Sequence, residues 1–157
     1  MDYKLFDQFR NLFYEKSGIF LKDHKIYLIE NRLQKYVNKY CDGNFEEYYS
    51  LLRDNPEKSI LTEFVNALTT NYSYFFRDPI HFDFLKFYLN HKFNDDYLRI
   101  WSAACSTGQE PYSAGIILDK NLAKIPTDSK ILATDISTRV LEEAKKGIYQ
   151  AEKVENY

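Results

Sequence analysis

Between Asp2 and Lys16 the apolar residues Leu5, Phe6, Phe9, Leu12 and Phe13 recur at helical spacing, and Ser17-Gly18 supplies a stop. A second helix is expected from Asp23, as N-cap, to about Tyr40, with Ile26, Ile29, Leu33, Val37 and Tyr40 on one face. Asn44 with Glu47 three residues on has the form of a capping box for a third helix, whose inward positions are Phe45, Tyr48 and Leu52. Pro56 interrupts, and a fourth helix carries Ile60, Leu61, Phe64, Val65 and Leu68. Four short amphipathic helices can bury their apolar stripes only against one another, so a small bundle is expected over residues 1–70.

From Thr69 to Arg77 neither the helical nor the alternating period persists, and the segment reads as a loop. Asp78-Pro79 has the form of an N-cap and first helical residue, with Phe82, Leu85 and Tyr88 continuing the helix, and His91 to Asp96 reads as a polar linker. The pattern then changes. Tyr97 to Ala103 is a short β-rich run; Pro111 is expected to open a helix reaching Leu122; Lys130 to Thr134 is a second apolar run; and Ser137 caps a helix that Gly147 ends. Strand, helix, strand, helix argues for parallel strands joined by crossovers. The fold class is therefore α/β: the helical bundle, then a loop, helix and linker over 71–96, then a partial Rossmann-like βαβα unit with an incomplete sheet over 97–157.

Composition alters this picture little. Hydrophobic residues make up 45% and charged residues 28% of 157, an ordinary globular balance. A 17% aromatic share, with 14 Tyr and 12 Phe, implies cores built largely from rings. A net charge of -2 and an isoelectric point near 5.9 give no field to draw the chain onto nucleic acid, and no stretch approaches the roughly 18 apolar residues of a membrane span. A cytoplasmic protein without membrane insertion is expected. Cys41 and Cys105 lack zinc or disulfide-framework spacing, and His24 and His81 have no partner at metal spacing.

The candidate chemistry lies in Trp101-Ser102-Ala103-Ala104-Cys105-Ser106-Thr107-Gly108-Gln109-Glu110-Pro111-Tyr112-Ser113. Small residues between a first strand and its helix let a nucleotide-like ligand approach the backbone, although a single Gly is also consistent with an ordinary strand-to-helix turn. Asp135 falls directly after the second strand, where a carboxylate can accept from both hydroxyls of a ribose; the competing reading is a helix cap. Arg77 can grip a carboxylate with two parallel hydrogen bonds, or it is a surface residue at a helix start. Tyr72, Tyr74, Phe75 and Phe76 either line a pocket or simply pack. On the second helix Lys25, Arg32, Lys35 and Lys39 fall within an arc of about 80 degrees, at about 100 degrees per residue, which is a solvated face or a docking stripe.

Thr69-Thr70-Asn71-Tyr72-Ser73-Tyr74-Phe75-Phe76-Arg77-Asp78, the run from Trp101 to Ser113, Ala133-Thr134-Asp135-Ile136-Ser137 and Gly147-Ile148-Tyr149 together resemble the successive signatures of the CheR family, the chemotaxis-receptor glutamate methyltransferases. The resemblance covers nearly the whole chain. It implies S-adenosylmethionine as cofactor and S-adenosylhomocysteine as product. It implies Asn71, Ser73 and Arg77 beside the methionine part, Glu110 under the same site, and Asp135 on the ribose. Ser73 stands where Thr is common and Gln109 where Glu is common, the latter removing a charge next to Glu110. The resemblance also implies that the basic helix face meets the acidic methylation region of the cytoplasmic domain of chemotaxis receptors. Changing Lys25, Arg32 and Lys39 to Glu is then expected to abolish receptor binding and leave the fold intact. The family continues with further strands, so a truncated piece is expected to self-associate through its open sheet. A non-catalytic receptor- or partner-binding module derived from such an enzyme is the alternative reading.

Overall fold

The computed structural model describes residues 1–54, 57–121 and 125–151. Pro56 and Leu122, expected to interrupt and to end helices, lie outside the described residues. The chain divides into two compact units, Met1–Thr70 and the part from Asn71 onward.

The first unit is a bundle of α1 (Tyr3–Ser17), α2 (Ile26–Cys41), α3 (Phe45–Asp54) and α4 (Lys58–Leu68). Its core is aromatic. Phe6, Phe9 and Phe13 of α1 are fully buried, with Ile29, Leu33 and Val37 of α2, Tyr48 of α3 and Phe64 of α4. Phe9 sits at the centre, edge-on to Phe45 and Tyr49 at 6.3 and 5.4 Å between ring centroids, and stacked on Tyr48 at 6.3 Å. Each such ring contributes about 1.5–3 kcal/mol on burial, as does each of the aliphatic side chains packed around it. The helix ends follow the sequence in part. The Asp2 carboxylate accepts from the Leu5 amide at 2.7 Å, and Gly18, at φ 71°, closes α1. Asn44 caps α3, its Oδ1 accepting from the Glu47 amide at 3.2 Å, but the box is not reciprocal: Glu47 Oε1 accepts from the side-chain Nδ2 of Asn44 at 3.1 Å, while the Asn44 backbone amide donates to Cys41 O at 2.8 Å.

The start of α2 departs from expectation. Asp23 is not its N-cap: a single 3₁₀ turn over Asp23–Lys25 precedes the helix, Lys25 takes the cap position without a side-chain bond, and the Asp23 carboxylate pairs with Arg10 instead. A cap residue is identified by its backbone conformation, and here a cation on α1 competes for the same carboxylate.

The second unit contains α5 (Pro79–His91), β1 (Arg99–Ala103), α6 (Gln109–Asp119), β2 (Lys130–Thr134) and α7 (Thr138–Lys146). The strands pair in parallel, Arg99 opposite Lys130 through Ala103 opposite Thr134. Ile100 and Ile131 pack on the core formed by Phe82 and Leu89 of α5, Leu98, and Ala114 and Ile117 of α6. Trp101 and Leu132, alternate to these, are 68% and 60% exposed. One face of the pair is thus packed and the other stands open.

Asp78 and Ser137 hold their expected N-cap positions, with Pro79 and Thr138 as first helical residues, but neither side chain makes a cap bond, and among the helix starts of this unit only that of α6 shifts. The Asp78 backbone lies at φ 57° and its carboxylate is 3.5 Å from Arg77 Nε. Helix α6 starts at Gln109, two residues before Pro111, because a proline in the first turn forfeits only an amide that has no helical acceptor.

Candidate functional site

The turn linking β1 to α6 is unusual backbone. Ala104, Ser106 and Gly108 have φ of 64°, 50° and 96°, so three of five consecutive residues occupy the left-handed region. For Ala and Ser this costs on the order of 1–2 kcal/mol each, and it persists only where surrounding bonds enforce it. Those bonds are present. The Cys105 amide donates to Thr134 O at 2.9 Å, the Ser106 amide to Asp135 Oδ2 at 2.8 Å, and the Gly108 amide to Cys105 O at 3.0 Å. Burial, with Asp135 adding to it, pushes the Cys105 thiol above its ordinary range, so the thiol stays neutral inside the turn.

Asp135 unites two loops. Its Oδ2 accepts from Ser106 and its Oδ1 accepts from the Ser137 amide at 2.8 Å, an Asx-type turn leading into α7. Each carboxylate oxygen has two acceptor directions, so one on each remains available after these amides are satisfied. The arrangement fits a ligand with two neighbouring hydroxyls. Glu110, exposed in the first turn of α6, accepts from the Ser102 hydroxyl at 2.6 Å, which fixes one of its oxygens and leaves a negative charge at the strand end. Gln109 points inward: it is 8% exposed and its Oε1 accepts from Thr107 Oγ1 at 2.8 Å. The amide thus serves the turn's own structure.

The loop from Asn71 to Asp78 is tied to α6 through Ser113, which is wholly buried. Its hydroxyl donates to Gln109 O at 2.7 Å and accepts from the Phe76 amide at 2.9 Å. Phe75 is buried and Phe76 packs edge-on to Phe82 at 5.2 Å between centroids, while Tyr72 and Tyr74 are exposed, so within this aromatic cluster packing falls to the two phenylalanines. Asn71 Nδ2 is a buried donor without a partner among the described residues, and an acceptor group arriving there would satisfy it. Ser73 is half-buried. Arg77 is exposed; Nη1 donates to Tyr72 O at 2.9 Å, Asp78 lies alongside, and further N–H groups of the fork remain.

The four basic residues of the helix face separate into two kinds. Arg32 Nη1 donates to Leu68 O at 3.1 Å and Thr69 O at 3.3 Å, with Ala67 O and Thr70 Oγ1 within reach, so it closes the C-terminal end of α4. Replacing it removes a helix cap as well as a charge. Lys39 pairs with Glu63 at 3.1 Å and lies over the Tyr40 ring. Lys25 is half-buried, and Lys35 is exposed over the Tyr36 ring. Ser102, Ser113 and Tyr149 were given no role by sequence. All three stood in the quoted motifs, Ser102 and Ser113 in the run from Trp101 to Ser113 and Tyr149 after Gly147-Ile148, but their hydrogen bonds to other segments could not be read from spacing.

Among the described residues no cluster of metal-ligating side chains occurs, and no helix is long and apolar enough to cross a membrane. A family model described as CheR methyltransferase, SAM binding domain, matches residues 71–157, and one described as CheR methyltransferase, all-alpha domain, matches residues 4–69. The chain is 39% identical over 151 residues to the chemotaxis protein methyltransferase of Escherichia coli, covering 96% of this chain and 52% of that protein. It is 41% identical over 139 residues to that of Salmonella typhimurium, covering 88% and 48%. With chemotaxis protein methyltransferase 2 of Pseudomonas aeruginosa it shares 41% over 151 residues, covering 96% and 53%. The chain thus spans about half the length of these curated relatives.

Proposed function

Because the chain belongs to the CheR methyltransferase family, we propose that it supplies the docking helices and cofactor-facing turn of an enzyme that methylates glutamate side chains of chemotaxis receptors. S-adenosylmethionine is the cofactor and S-adenosylhomocysteine the product. The observation that supports this reading most is Asp135, held by the Ser106 and Ser137 amides with acceptor capacity left on both oxygens. Asp135 takes the ribose hydroxyls. Asn71 offers its unpartnered Nδ2 to the amino-acid end, Arg77 pairs with the carboxylate there, and Ser73 adds a hydroxyl beside it.

When bound, the cofactor supplies an electrophilic methyl on a sulfonium sulfur. A receptor glutamate, with an ordinary pKa of about 4.3, is already ionised at neutral pH, so no general base is required. The protein's work is alignment for in-line displacement and exclusion of water. Glu110, its orientation fixed by Ser102, puts negative charge on the sulfonium side. Docking runs through Lys25 and Lys35, with Lys39 and Arg32 adding positive charge from their internal pairs, toward the acidic methylation region of the receptor's cytoplasmic domain.

Calorimetric titration with S-adenosylhomocysteine tests the cofactor assignment. The chain is expected to bind, with affinity lost in Asp135→Ala and reduced about tenfold or more in Asp135→Asn, which exchanges an acceptor for a donor. Equal affinity in all three proteins rejects it.

A further inference from the structure

Resting on the cofactor reading above, we infer that Tyr149 is a positioning residue that locks together the two segments between which the cofactor lies. Its hydroxyl donates to Thr107 O at 2.7 Å, inside the strained turn. Its ring lies edge-on to Phe75 at 4.9 Å between centroids, and Phe75 belongs to the segment carrying Asn71, Ser73 and Arg77. The same ring meets Tyr112 of α6 at 5.6 Å, and Tyr112 Oη donates to Ala144 O of α7 at 3.2 Å.

One side chain therefore touches the ribose side of the site through Thr107 and the amino-acid side through Phe75. The turn is shaped to receive it. A Cβ built on Gly108 would lie 2.6 Å from Tyr149 Oη, so the absence of a side chain at 108 makes room for the phenol. The turn needs an external hold, since two of its three left-handed residues are not glycine, and the Tyr149 hydroxyl is the side-chain donor that supplies one after Asp135 has fixed Ser106. Burial, followed by the neighbouring Tyr112, raises the phenol to about 12, so the donor proton is retained throughout the neutral range.

This assigns Tyr149 an effect on ligand affinity separable from its effect on stability. The test is S-adenosylhomocysteine calorimetry on the full chain and on Tyr149→Phe and Tyr149→Leu, below the melting temperature of each, with amide hydrogen exchange at Ser106 and Gly108. Tyr149→Phe keeps the ring contacts and loses only the hydrogen bond. It is expected to weaken binding about fivefold and to speed exchange at both amides, as loss of one ordinary hydrogen bond implies. Tyr149→Leu, which also loses the edge-on contact with Phe75, is expected to weaken binding further. A lowered melting temperature with unchanged affinity and unchanged exchange in folded Tyr149→Phe marks a purely structural residue and overturns the inference. Absence of binding by the unmodified chain overturns the cofactor reading, and this inference with it.

Discussion

Replacing Gly108 by Ala should destabilise the second unit far more than the same change at Gly147, although both glycines have positive φ, 96° and 62°. At either position the left-handed backbone costs an L residue about 1–2 kcal/mol. The difference lies in what the new methyl meets. At Gly108 it would lie 2.9 Å from Ala144 Cβ and 3.2 Å from Ala144 Cα, atoms of α7 that cannot yield alone, besides Tyr149 Oη at 2.6 Å. At Gly147 the near neighbours are Tyr112 Oη at 2.8 Å and Cζ at 3.3 Å, the outer end of one side chain 41% exposed, which can shift at the expense of its bond to Ala144 O. Overpacking adds about 1–3 kcal/mol at Gly108, giving a total of about 2–5, against about 1–2 at Gly147. For a domain of this size the first corresponds to a fall of roughly 8 °C or more in melting temperature. Trp101, the chain's one tryptophan and part of β1, allows this unit to be followed separately from the helical one by fluorescence excited beyond the tyrosine band. Equal melting shifts for the two variants, or a fall below about 3 °C for Gly108→Ala, would refute the steric reasoning.

Three further outcomes are expected in the helical unit. Tyr48 is fully buried and its hydroxyl has no partner among the described residues, so Tyr48→Phe should leave stability unchanged or raise it by about 1 kcal/mol in urea unfolding. A loss of that size would reveal a hidden partner. Arg32→Ala should cost about 1.5–3 kcal/mol by removing the charged cap of α4, whereas Lys25→Ala should cost under about 0.5; equal effects would contradict the cap. Burial alone would raise Glu63, but hydrogen bonds from Lys39 and Tyr40 outweigh it and hold the carboxyl below its ordinary 4.5. Its contribution is therefore full above pH 4.5 and lost as pH falls through the lowered value; solvent limits it to a few tenths of a kcal/mol. Glu63→Gln should flatten that part of the acid limb, and superimposable limbs would count against the pairing.

Much of this was legible in the chain, for identifiable reasons. The helical stripes, the Asn44 cap and the glycine stops at 18 and 147 depend on local spacing, which the backbone reads directly. Asp23 is a good cap type that does not cap, because Arg10 draws its carboxylate, while Asp78 and Ser137 hold their cap positions without a side-chain bond, the Asp78 carboxylate lying beside Arg77 instead. Those are choices made by neighbours distant in sequence or by backbone conformation. The strain at Ala104 and Ser106 was hidden for the same reason: no residue type there demands a positive φ, and only the bonds to Thr134 and Asp135 impose it. Arg32 looked like one charge among four until its contacts with the α4 carbonyls set it apart.

The most direct test is a crystal structure of the chain with S-adenosylhomocysteine. The ribose should lie against the turn from Ala104 to Gly108 with both hydroxyls on Asp135, and the amino-acid carboxylate should meet Arg77. A ligand seated elsewhere, with Asp135 still bonded only to Ser106 and Ser137, would contradict the assignment.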